Sequence, residues 1–105
     1  VKVLVAVLEG MDAKSLRTTM DDLKNKLGSA VILLAVAGDK IQFCAGVTKD
    51  LTGRIKAGEL VNAAAAVAGG KGGGKPDMAM AGAADVAKLA DAMKAARTFI
   101  GEKLA

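Results

Sequence analysis

The chain contains no histidine, no tryptophan and no tyrosine. Without an imidazole there can be no His-based acid–base catalysis and no His/Cys zinc site within these residues. Cys44 is the only cysteine, so an internal disulfide is excluded. No basic run near it would lower its pKa, and it reads as a small buried hydrophobe rather than a reactive thiol. Phe43 and Phe99 are the only aromatic side chains, too few for the platforms on which single-stranded nucleic-acid binders stack bases. No apolar run reaches the length of a membrane span. The opening "VKVLVAVL" is too short for a secretion signal and lacks its basic start and small-residue cleavage site. We expect a cytoplasmic domain with no membrane partner.

What is present is aliphatic. Ala, Val, Leu and Ile dominate the 52% of residues that are apolar, enough to build a core and too much for a disordered chain. Residues 1–105 fit one globular domain, and a start at Val1 without methionine leads us to expect a longer parent. The net charge of +4 is a modest excess. It points weakly to a polyanionic partner, so the placement of the lysines matters more than their number.

The nearly continuous apolar run from Val1 to Leu8 predicts a strand covered on both faces. Asp12 can then cap a helix that buries Leu16, Met20, Leu23 and Leu27, turns Lys14, Arg17, Asp21, Lys24 and Lys26 outward, and stops at Gly28. Ala30 to Ala37 reads as a second strand. Gly38 and Asp39 turn it into a third, Ile41 to Thr48, whose alternation predicts one buried face. Thr48 to Arg54 reads as a loop or short turn, and Lys56 to Ala68 as an alanine-rich helix ended by Gly69. A short strand over Met78 to Ala81 and a helix from Asp85 to Leu104 complete the order β-α-β-β-α-(β)-α. The fold class is therefore α/β, a mixed sheet packed with helices.

Between the second helix and the short strand lies "GGKGGGK", five glycines and two lysines in seven residues. Clustered glycines can turn several N–H groups toward one anion. The spacing matches the start of a nucleotide-binding P-loop, but Pro76 stands where the magnesium-holding Ser or Thr belongs. The segment also follows a helix rather than a strand. A flexible linker would carry Ser and would not run straight into "MAMAGAA". We therefore read Gly69 to Lys75 as a structured loop that contacts phosphate. Lys71 and Lys75 would flank it, with Lys49, Arg54 and Lys56 as further basic candidates nearby in sequence. Asp77 could brace the loop through an Asx-type turn, and Asp85 could cap the last helix. Met78, Met80 and Met93 fit core packing.

The run "RIKAGELVNAAAAVAGGKGGGKPDMAMAGAA", Arg54 to Ala84, closely resembles the C-terminal domain of bacterial alanyl-tRNA synthetases, which carries a "GGKGGG-basic-PDMAQAGG" segment after a helix. That domain is in turn similar to the DHH-associated domain of phosphoesterases. The resemblance implies a non-catalytic module that binds the elbow of alanine-specific tRNA and helps bring it to separate charging and editing centres. It maps the family's glycine segment onto Gly69, Gly70, Lys71, Gly72, Gly73, Gly74 and Lys75. It also implies the remaining synthetase domains as partners and self-association through helices preceding Val1. No cofactor is expected in this chain, whereas the parent is implied to use ATP, magnesium and zinc.

Met80 stands where the family usually has Gln, and Ala83 where it usually has a second Gly, so "MAMAGA" is not expected to make polar RNA contacts. Lys75 stands where the phosphoesterases commonly carry a histidine. Lysine supplies charge but no proton exchange near neutral pH, which favours binding over catalysis. Two alternatives stay open at this point: the substrate-binding domain of a phosphoesterase acting on short oligonucleotides or dinucleotides, and an oligomerising scaffold.

Overall fold

The computed structural model describes residues 2–8, 10 and 12–104. Val1, the first residue of the expected opening strand, lies outside them. Among the described residues the chain forms five strands and three α-helices. Strands β1 (Lys2–Leu8), β2 (Ala30–Ala37), β3 (Ile41–Val47), β4 (Lys71–Gly74) and β5 (Met78–Ala83) build one mixed sheet in the order β1-β2-β3-β5-β4. Helix α1 (Ala13–Leu27) connects β1 to β2, which run parallel, and every other neighbouring pair is antiparallel.

Helix α1 forms as its sequence dictates. The Asp12 carboxylate accepts the Ser15 backbone N–H at 2.7 Å, satisfying one of the unpaired donors at a helix start. At the other end Gly28 turns out of the helix with φ 77°, a conformation that costs glycine little. Leu16 and Met20 pack on Ile32, Leu34 and Cys44, making the smaller of two core layers. Met20 approaches so closely that a Cβ at Gly46 would overlap its sulfur. Strand β3 is consequently buried on both faces, not on one as its alternation suggests, because Cys44 and Gly46 lie beneath α1.

The larger layer lies on the opposite face, where helix α2 (Ala57–Val67) and helix α3 (Leu89–Leu104) pack on Val31, Leu33, Phe43, Ala45 and the alanines of β5. The alanine run of α2 lets the helix sit low on the sheet and lets α3 pack against it. Met93 belongs to this layer, while Met78 and Met80 pack at the margin of the other. Helix α2 packs over β3, β5 and β4, α3 lies beside it toward β2, and β1 is left as a thinly covered edge. Val3 and Val7 are therefore 49% and 48% exposed, against the expectation of a strand covered on both faces.

The connection after β3 contains a 3-10 turn, Lys49–Leu51, that buries Leu51 and is followed by buried Ile55. The Thr48 hydroxyl accepts the Ala30 N–H at 3.0 Å, which pins the start of β2 to the end of β3. Asp85 caps no helix with its side chain. Its N–H bonds the Ala68 carbonyl, and a 3-10 turn over Val86–Lys88 delays α3 until Leu89.

Candidate nucleic-acid interface

The glycine segment is a strand rather than a loop. β4 is the last strand of the sheet, paired to β5 with Lys71 opposite Gly82, Gly72 opposite Ala81, Gly73 opposite Met80 and Gly74 opposite Ala79. Sterics explain why most of its glycines are required. A Cβ at Gly70 would overlap the Gly82 carbonyl oxygen, one at Gly72 would overlap the Ala81 methyl, and one at Gly74 would stand 2.9 Å from that of Ala79. Gly69, with φ 77°, carries the chain out of α2. At Gly73, however, a Cβ would meet nothing within 4 Å, and its φ is not in the left-handed region.

Two further bonds set the hairpin. The Lys75 N–H reaches the Met78 carbonyl at 3.0 Å, closing the turn, and the Ala57 N–H reaches the Pro76 carbonyl at 2.8 Å. The second bond uses the turn to satisfy the first residue of α2, whose N-cap position, Lys56, makes no side-chain cap. Asp77 forms no Asx-type turn. Its carbonyl accepts the Val47 N–H at 2.9 Å and the Lys24 ammonium at 3.0 Å, and its carboxylate lies 3.9 Å from that ammonium.

The glycine strand is thus a ridge between two clefts. One, of about 450 Å³, opens toward α1 and is lined by Arg17, Asp21 and Lys24 together with Gly73, Gly74, Lys75, Asp77 and Met80. The other, of about 300 Å³, opens toward α2 and is lined by Lys56, Glu59 and Asn62 with Gly72 to Gly74 and Pro76. Lys75 and Lys56 therefore stand on opposite sides of the same backbone. Lys71 is exposed at the strand's far end, and Lys49 and Arg54, although exposed, line neither cleft.

Arg17 and Lys24 were not singled out by sequence, where they fall on the outer side of α1. The available signal is the spacing of Arg17, Asp21 and Lys24, which places the three on one stripe of the helix. An edge strand leaves one row of backbone N–H and C=O groups without a strand partner. Here that row runs between basic side chains, an arrangement suited to holding an anionic polymer by its backbone.

Neither aromatic ring joins this surface. Phe43 is buried in the larger core layer, and Phe99 on α3 lies under the Lys103 ammonium, 5.5 Å from the ring centre. Among the described residues no three His, Cys, Asp or Glu side chains converge as a metal-holding group. Burial pushes the Cys44 thiol up to about 11, so it carries no thiolate near neutral pH.

The model of the DHHA1 domain family matches residues 1–102. The alanine–tRNA ligase of Acidovorax sp. is 60% identical over 105 residues, 99% of this chain and 12% of that ligase. The alanine–tRNA ligase of Leptothrix cholodnii is 61% identical over 104 residues, 98% of this chain and again 12% of the ligase. The chain therefore spans about an eighth of the length of these curated relatives. Among solved structures, the crystal structure of the C-Ala domain from Aquifex aeolicus alanyl-tRNA synthetase matches with a TM-score of 0.80 at 31% identity, covering 88% of this chain and 84% of that one.

Proposed function

The chain belongs to the DHHA1 domain family, in the branch that alanyl-tRNA synthetases carry as their C-Ala domain, and from that premise we propose that it binds tRNA through the β4 edge. The observation that carries this reading is the open glycine strand with Lys75 on one side and Lys56 on the other. Phosphate oxygens accept from backbone N–H groups and ammonium donors alike, and such contacts fix position without reading sequence. With no aromatic ring at the edge, bases are not stacked, so the domain recognises the shape and the phosphates of a folded RNA.

In the parent ligase the domain holds alanine-specific tRNA by its elbow and assists both charging and editing, reactions that other domains carry out. The ATP, magnesium and zinc of that enzyme belong outside this chain, and its setting is the cytoplasm. Among the described residues no helix is long and apolar enough to cross a membrane. The test is a shift assay with folded tRNA, the same tRNA heat-unfolded, and duplex DNA of equal length. Preference for the folded RNA supports the reading, and equal affinity for all three removes shape recognition from it.

A further inference from the structure

We infer that the α1 side of the glycine ridge is a second wall of the RNA site, with Arg17 and Lys24 as phosphate-binding residues, Gly73 as its floor and Asp77 as the residue that positions Lys24. The inference rests on the tRNA-binding reading and adds Arg17, Lys24 and Asp77, which lie outside the glycine–lysine segment.

Three observations converge on this cleft. The first is Gly73. Its neighbours at 70, 72 and 74 must be glycine because a methyl group would collide with β5, but no such demand exists at 73. Glycine in a strand interior loses packing and chain entropy relative to alanine. Gly73 borders both clefts, but it pairs with Met80, which packs in the α1-side layer, so its missing side chain leaves the backbone bare on the α1 side and a ligand can lie flat on the peptide.

The second is Lys24. Its ammonium crosses from α1 to the β4–β5 turn and donates to the Asp77 carbonyl at 3.0 Å, with only 17% of the side chain exposed. A lysine ammonium has three donors, and this bond uses one. The flexible stem is thereby ordered before any ligand arrives, which lowers the entropy lost on binding.

The third is Arg17, seven residues earlier on the same stripe and about 10 Å away along the helix axis. It is exposed, and among the described residues it forms no ion pair. Its planar fork matches two oxygens of a phosphate. Asp21 lies between the two cations. It keeps the wall from becoming a uniform positive field and separates the two positions at which an anion can sit. Two separate cationic positions suit a polyanion with several phosphates better than the single phosphate of a mononucleotide.

The experiment measures tRNA affinity of this chain against salt concentration for the wild type, Arg17→Gln, Gly73→Ala and Lys71→Ala/Lys75→Ala, with unfolding midpoints recorded for each. Arg17→Gln is expected to lower the slope of log K against log salt by roughly 0.7 to 0.9, the loss of one phosphate contact. Gly73→Ala is expected to weaken binding by roughly three- to tenfold, about one hydrogen bond, at an unchanged midpoint. If the wild type binds and the lysine pair matters while Arg17→Gln and Gly73→Ala behave as wild type, the α1 wall is overturned and the tRNA reading stands. If the wild type does not bind folded tRNA at low salt, both fall. Complete displacement of tRNA by millimolar AMP would make the cleft a mononucleotide pocket and overturn the inference as well.

Discussion

The Lys24 ammonium donates to the main-chain carbonyl of Asp77, 53 positions later in sequence and 3.0 Å away, and stands 3.9 Å from the carboxylate of the same residue. The carbonyl also accepts the Val47 N–H, so it keeps a partner if Lys24 is removed. We expect Lys24→Met to cost about 1 kcal/mol, the net worth of one hydrogen bond. Asp77→Asn should cost less, since a partly exposed ion pair contributes roughly 0 to 1 kcal/mol. Urea unfolding of the two variants checks the order; a larger loss for Asp77→Asn would make the carboxylate, not the carbonyl, the principal tether.

The glycines of β4 should separate sharply in the same measurement. Gly72→Ala forces a methyl group into Ala81, and overpacking of this kind costs roughly 1 to 3 kcal/mol. Gly73→Ala meets no atom within 4 Å and should fall within about 0.5 kcal/mol of wild type. Equal losses at the two positions would mean that the space open at Gly73 does not decide which side chains the strand tolerates.

Cys44 supplies a pH prediction. Burial raises its thiol to about 11 from an ordinary 9.0, so the folded chain holds a proton that the unfolded chain releases. The stability linked to this group is fully present below pH 9 and falls as pH rises toward 11. Lysines titrate in the same range, so the quantity to read is the difference between wild type and Cys44→Ala. Wild type should lose more stability over that window, and its thiol should react with a disulfide reagent only as the chain unfolds.

Much of this was legible in the residues, and the exceptions have physical reasons. The β2–β3 hairpin and α1 could be read because apolar runs, a Gly-Asp connection and a capping Asp all act locally. Strand β4 could not, since glycine has almost no preference for strands. Its extended form comes from close approach to the alanines of the paired strand β5, a steric fit that the glycines' own sequence pattern does not display. The glycine and lysine motif lies at the last strand of the sheet, beside two clefts. Lys56 reached that edge because α2 begins against the Pro76 carbonyl, whereas Lys49 and Arg54 remain on the 3-10 connection. Arg17 and Lys24 face a cleft because the sheet ends beside α1, a fact of strand order that no periodicity in α1 contains.

On the tRNA-binding reading the β4 edge holds RNA by its phosphates, which is tested by the affinity of folded tRNA for the wild-type chain and for Lys71→Ala/Lys75→Ala across a salt series. Wild-type binding is expected to weaken steeply with salt, with the slope reduced by roughly 1.4 to 1.8 in the double variant, at roughly 0.7 to 0.9 per phosphate contact. An unchanged slope and affinity in a double variant that keeps its unfolding midpoint would contradict it.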